Sequence, residues 1–214
     1  MKFDIIKPHE IENKSFEIIS EIIRIEYPNA QILKEHESIV KRVIHTSADF
    51  EYLENLKFSE DVIIHAQNAL KNGAVIITDT NMAKSGINKT PLSKLGGEVH
   101  CYIADEDEAL EAKQRGVTRA IVSMEKAAKL ERPLIFAIGN APTALIALDE
   151  MIKKRSLKPE LIIGVPVGFV NVVESKELIM HSGIPYIVAQ GRKGGSNVAA
   201  AICNALIYSL VERV

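Results

Sequence analysis

Leu134-Ile135-Phe136-Ala137-Ile138-Gly139-Asn140-Ala141-Pro142-Thr143 contains the transition on which the fold turns. An apolar run without polar alternation reads as a strand buried on both faces. Gly139 and Asn140 end it. Pro142 suits the first turn of a helix, where no N–H is needed, and the helical pattern then covers Ala141 to Arg155. A buried strand feeding a helix is the first half of a βαβ unit.

Outward from this stretch, four more runs have the same character: Ala74 to Thr78, Val99 to Ile103, Leu161 to Pro166, and Ile184 to Gln190. Helical segments separate most of them, at Glu106 to Arg115, Thr118 to Leu130, and Ser175 to Ser182. A last helix spans about Asn197 to Val211 and is apolar nearly all round, which predicts a place partly in the core and partly at a subunit interface. Toward the amino terminus, Phe16, Ile19, Ile22 and Ile23 recur at helical spacing, and Ser38 to His45 continue in that style. Ser59-Glu60-Asp61 predicts a capped, acidic start to a helix carrying Val62, Ile63, Ala66 and Leu70, with a stop at Asn72-Gly73. The expected fold class is therefore α/β: a mainly parallel sheet covered by helices on both faces, with a helical amino-terminal segment, in a single domain over 1–214.

Composition narrows the function. A net charge of −2 provides no global field for nucleic acid or membrane, so any anion site must be local. Cys101 and Cys203 lie in no CxxC or His-spaced cluster and read as buried thiols. The opening Met1-Lys2-Phe3-Asp4 lacks the apolar run of a signal peptide. Val198 to Val211 falls short of the roughly 20 apolar residues of a membrane span. These features predict a soluble cytoplasmic protein.

Ligands of open parallel sheets bind beyond the carboxyl ends of the strands. The segments there are Asp79 to Gly86, Gly139 to Thr143, Pro166 to Asn171, and Gly191 to Asn197. In the last of these, glycines precede a helix start at Ser196, and Arg192 and Lys193 add positive charge. That pattern fits a carboxylate or phosphate cradle. It equally fits a tight turn with solvated basic residues. GxxxxGK[ST] is absent and no GxGxxG follows a strand, which removes the usual support for a nucleotide cofactor. The six histidines show no metal-ligand spacing, so no protein-bound metal is expected. His45 stands out among them. It shares a helical face with Arg42 and Ser38, near a predicted helix end at Thr46-Ser47. An anion held by Arg42 beside a proton-donating His45 would suit acid catalysis. By spacing alone, a structural histidine is the commoner case.

The same segments resemble the precorrin-8X methylmutase family, which includes the cobalt-precorrin-8 methylmutases. The carriers are Ser15-Phe16, Arg42-Val43-Ile44-His45, Asp79-Thr80-Asn81-Met82, Ala137 to Leu145, Pro166 to Val170, Glu174-Ser175-Lys176, and Gly191 to Ser196. The resemblance covers nearly the whole chain. It implies a three-layer α/β/α sandwich with a five-stranded parallel sheet, and a homodimer. The implied activity is an isomerase that moves a methyl group from C11 to C12 of a corrin precursor, a polycarboxylate macrocycle, with no cofactor. The histidine matching His45 is implied as proton donor and acceptor, and the residues matching Ser15 and Arg42 as substrate contacts. Thr80, Lys84, Asn140, Arg192, Gly194 and Ser196 are further substrate-binding candidates from the strand-end loops, Lys84 on charge alone. The alternative is a tetrapyrrole-binding carrier without chemistry.

Overall fold

The computed structural model describes residue 7 and residues 10–212. The opening tetrapeptide and His9 lie outside them. In chain order the elements are α1 (Ile11–Glu26), α2 (Glu37–Ser47), α3 (Tyr52–Asn55), β1 (Leu56–Phe58), α4 (Val62–Lys71), β2 (Val75–Thr78), α5 (Asn81–Gly86), α6 (Lys89–Lys94) and β3 (Glu98–His100). There follow α7 (Glu106–Arg115), α8 (Arg119–Ala127), β4 (Leu134–Ile138), α9 (Pro142–Lys153), β5 (Leu161–Gly164), α10 (Val172–Met180), β6 (Tyr186–Ala189) and α11 (Ser196–Tyr208).

The strands form one sheet in the order β1-β6-β5-β4-β2-β3. Every pairing is parallel except β1 with β6, where Leu56 lies opposite Ala189. The five apolar runs are the five parallel strands. The sheet nevertheless has six strands rather than five, because Leu56-Lys57-Phe58 adds an antiparallel edge. Three residues are too few to show a period of two, which is why that edge is not readable beforehand.

Side-chain alternation divides the core into two layers. Ile76, Ile135, Ala137, Ile163, Ile187 and Ala189 pack toward α2, α4 and α11. Val75, Ile77, Phe136, Ile138, Ile162 and Val188 face α8, α9 and α10. The strands read as unbroken apolar runs because helices cover both faces, giving the three-layer sandwich.

Ser59 does not cap α4. Its hydroxyl accepts from the Tyr186 N–H at 2.9 Å, and its own N–H donates to the Tyr186 carbonyl at 3.0 Å, so it extends the β1–β6 edge. Asp61 precedes the helix with φ +52° and no side-chain cap. The Asn72-Gly73 stop is as predicted, with Gly73 at φ +70°.

The apolar character of α11 follows from its position. It is buried from Val198 through most of its length, with β4 and β5 beneath it and α2, α4 and α5 beside it. Tyr208 at its end meets Arg42, while Lys193 just before its start meets Asp49, just after α2. The two helices are therefore antiparallel. Among the described residues, no helix is long and apolar enough to cross a membrane.

Candidate active site

The chain runs β4, β5, β6 to one side of the sheet and β2, β3 to the other. That reversal between β2 and β4 is where an open α/β sheet usually takes its ligand. Here Asp79, only 1% exposed, fills the crevice. Its carboxylate accepts the backbone N–H groups of Gly139, Asn140 and Ala141 at 2.9, 2.8 and 2.6 Å. Burial raises the Asp79 pKa, and the three amide donors act against that rise. The amides just before α9 are thus engaged by the protein itself.

The strand-end loops join into one rim around this plug. Thr80 Oγ1 lies 2.7 Å from Ser196 Oγ and also caps α5 by accepting the Ala83 N–H. Gly139 abuts the start of α11 so closely that a Cβ there would lie 2.7 Å from Ser196 Cα. The Gly195 N–H donates to the Val165 carbonyl at 2.9 Å, and the Gly168 N–H to the Arg192 carbonyl at 3.2 Å. Beneath the Gly191–Ser196 turn, Lys176 donates from Nζ to the carbonyls of Gly191 and Lys193 at 2.7 and 2.8 Å.

The helical segment meets this rim within one chain. Lys193 pairs with Asp49 at 2.6 Å and Glu51 at 2.9 Å, tying the loop to the residues just beyond α2. Lys193 is therefore not the free positive charge that its place in the loop suggested. Burial alone would raise the Asp49 pKa, but hydrogen bonds from Lys193 and the Glu51 N–H, with the Lys193 charge, lower it overall. Lys193 is pushed up to about 12 by the same carboxylates.

His45 sits in the last turn of α2, exposed to solvent, as its place near the predicted helix end required. Its ring lies 5.4 Å from that of Phe16 on α1, at a tilt of 55°. Arg42, one turn earlier, has its guanidinium over Phe16 at 5.2 Å and over Tyr208 at 4.9 Å. It pairs with Glu12 at 2.8 Å. Burial lowers the Arg42 pKa, yet a guanidinium stays charged at any physiological pH. Ser15, next to Phe16, donates back to the Ile11 carbonyl at 2.9 Å. Arg42, Phe16, Ser38 and Tyr208 also line a pocket of about 430 Å³ that does not include His45.

Of the remaining candidates, Lys84 on α5 is half-buried, and its ammonium has no ion pair or hydrogen bond among the described residues. The Asn140 and Arg192 side chains are exposed at the rim. Gly194 takes φ +159°, and a Cβ there would lie 2.1 Å from the Val165 carbonyl oxygen. The structure thus gathers Thr80, Asn140, Arg192, Gly194 and Ser196 on the rim and places Ser15, Arg42 and His45 on the adjoining helices. The rim also exposes Met82, Phe169 and Val170, at 71%, 84% and 77%.

Sequence reasoning assigned no part to Asp79 or Lys176. A signal for Lys176 was present, since it lies on the stripe Val172, Ser175, Ile179 that buries α10. The acidic group Asp105, Asp107 and Glu108 has the spacing of metal ligands, but Lys126 occupies it at 3.1, 3.2 and 2.6 Å.

Comparison with known proteins identifies the family. The family described as precorrin-8X methylmutase matches residues 10–209. The cobalt-precorrin-8 methylmutase of Salmonella typhimurium is 48% identical over 208 residues, 96% of this chain and 97% of that protein. The precorrin-8X methylmutase of Pseudomonas aeruginosa is 38% identical over 86% of this chain and 89% of its own. The crystal structure of the precorrin-8X methylmutase of Thermus thermophilus superposes with a TM-score of 0.82 at 35% identity, covering 92% of this chain and 96% of that one. A match that spans both the strand-end rim and the amino-terminal helices shows that the chain belongs to the precorrin-8X methylmutase family.

Proposed function

We propose that this chain moves the C11 methyl group of precorrin-8, or of its cobalt complex, to C12, with His45 as the acid. The observation that carries the reading is the position of His45. It is solvent-facing at the end of α2, one turn from Arg42, and joined to the strand-end rim through Asp49 and Lys193.

In the proposed step, His45 gives a proton to the macrocycle, which draws electrons away from C11. The C11–methyl bond breaks as the C12–methyl bond forms, C11 joins the conjugated system, and His45 recovers the proton. No atom is gained or lost, so no cofactor enters. Arg42 holds a peripheral carboxylate by charge-assisted hydrogen bonds, exchanging Glu12 for the ligand. Ser15 orients the ring edge, and Thr80, Lys84, Asn140, Arg192, Gly194 and Ser196 receive the other polar arms. General acid catalysis contributes roughly 10²–10⁴-fold, and holding the ring in its reactive geometry contributes the rest.

Turnover followed by the absorption of the macrocycle tests this. His45→Ala should bind product normally and lose about 10²-fold or more in kcat. A variant with wild-type turnover refutes the role, and an unchanging spectrum with the unmodified chain refutes the activity. Parallel assays with the cobalt-containing and metal-free substrates decide the metal form. Assembly as a cytoplasmic homodimer belongs to the same reading, and sedimentation of the purified protein tests the assembly.

A further inference from the structure

We propose that Lys176 is a positioning residue that turns the backbone N–H groups of Arg192 and Gly194 outward, making the Gly191–Ser196 turn a cradle for a ligand carboxylate. This deepens the functional reading above and rests on it, since that reading supplies a polycarboxylate ligand.

Lys176 is fully buried, on the apolar stripe of α10. Removing an ammonium from water is costly, and only an opposite charge or good hydrogen bonds offset it. No carboxylate plays that part among the described residues. Burial alone lowers the Lys176 pKa, to about 8. A methionine would fill the same space without the desolvation. What the ammonium adds is a grip on two carbonyls, those of Gly191 and Lys193, at 2.7 and 2.8 Å.

That grip has a geometric consequence. The described residues contain no cis peptide bond. In a trans peptide the C=O and the following N–H point in opposite directions. A Gly191 carbonyl drawn inward therefore sends the Arg192 N–H outward, and the Lys193 carbonyl does the same for Gly194. Neither N–H has a hydrogen-bond acceptor among the described residues. Nearby outward N–H groups of this kind form the concave anion sites known in turns. The Gly191–Ser196 segment can lie this close to β5 only with glycine at 194, where a Cβ would sit 2.1 Å from the Val165 carbonyl. The buried positive charge beneath the turn favours an anion above it.

The test uses the full chain with cobyrinate and, as its carboxylate-free counterpart, the fully methyl-esterified cobyrinate, both titrated by corrin absorption. The unmodified chain should prefer cobyrinate. Lys176→Met should weaken cobyrinate binding about tenfold, the loss expected for a charge-assisted contact, and leave the ester unchanged. A packing defect would weaken both alike, and that outcome, or a preference retained in full, overturns the proposal. Amide exchange in the unmodified chain gives a reading independent of the variant's folding. The Arg192 and Gly194 amides should slow with cobyrinate and not with the ester, and unchanged exchange on the bound chain refutes the cradle. If the unmodified chain binds neither cobyrinate nor its cobalt-free counterpart hydrogenobyrinate, the functional reading itself fails, and this inference with it.

Discussion

Asp79→Asn removes the negative charge at the switch crevice while keeping the shape of the side chain. Three N–H donors converge on the native carboxylate, one on Oδ1 and two on Oδ2, at 2.6 to 2.9 Å. A carboxamide offers one acceptor oxygen. Turned to keep the two bonds at Oδ2, it puts its NH₂ against the Gly139 N–H; turned the other way, it confronts Asn140 and Ala141. With the site 1% exposed, water cannot repair the mismatch. Leaving a buried donor unsatisfied costs about 1–3 kcal/mol, and the bonds that remain lose their charge assistance. Relief from burying a carboxylate offsets part of this. The net expectation is a loss of about 2–3 kcal/mol. A chain of this size loses roughly 2–4 °C in Tm per kcal/mol, so calorimetry should show a fall of roughly 5–10 °C. Hydrogen exchange should quicken at the amides of Gly139, Asn140 and Ala141 ahead of those in β4. An unchanged Tm with unchanged exchange refutes the reasoning. It would mean that Asp79 carries a proton in the folded protein and that the amide replaces it without loss.

Two further expectations follow from the rim. Gly139→Ala puts a Cβ 2.7 Å from Ser196 Cα, 2.8 Å from its N and 2.9 Å from the Gly195 carbonyl carbon, all backbone atoms that must move. Calorimetry should show a loss of about 1–3 kcal/mol, as for other overpacked sites, together with weaker product binding, and a fully wild-type variant contradicts the close approach. Asp49 has a lowered pKa in the fold, so its pair with Lys193 contributes above the ordinary carboxylate range near pH 4 and is lost as pH falls through the folded value. Asp49→Asn should therefore lower the Tm slightly at pH 7, by an amount that shrinks on acidification and in high salt, whereas a deficit that does not change with pH rules out the ion pair as its cause.

The parts of the structure legible in the sequence are those that local patterns dictate. Leu134 to Ile138 can be read as a strand because both its faces are covered, and Pro142 marks the start of α9 because a first-turn residue needs no N–H. The position of His45 near the end of α2 was legible from spacing, but its relation to the rim was not. That relation depends on Lys193 reaching Asp49 across 144 positions, and a sequence shows charges without showing their partners. Asp79 stayed silent for the same reason, because its partners are backbone amides some 60 positions away. The edge strand β1 was too short to show a pattern. Ser59 has the composition of a cap, yet the β1–β6 ladder claims its hydroxyl.

On the proposed function the ligand lies over the rim rather than within the usual crevice of the fold, because that crevice is closed from within. With the Asp79 carboxylate on the amides of Gly139, Asn140 and Ala141, an incoming carboxylate finds those three donors taken and meets a like charge instead. The open N–H groups of Arg192 and Gly194 are on the loop after β6, beside the start of α11. That loop is held to the amino-terminal helices by Lys193, with Asp49 only two residues beyond α2. An anionic macrocycle repelled from the switch point and attracted to the Gly191–Ser196 turn is thus brought to the side of the molecule where Arg42 and His45 stand. On this reading Asp79 has two effects that separate experimentally. It fixes the β4–α9 loop, which stability measures, and it directs the ligand toward His45, which only binding and turnover measure.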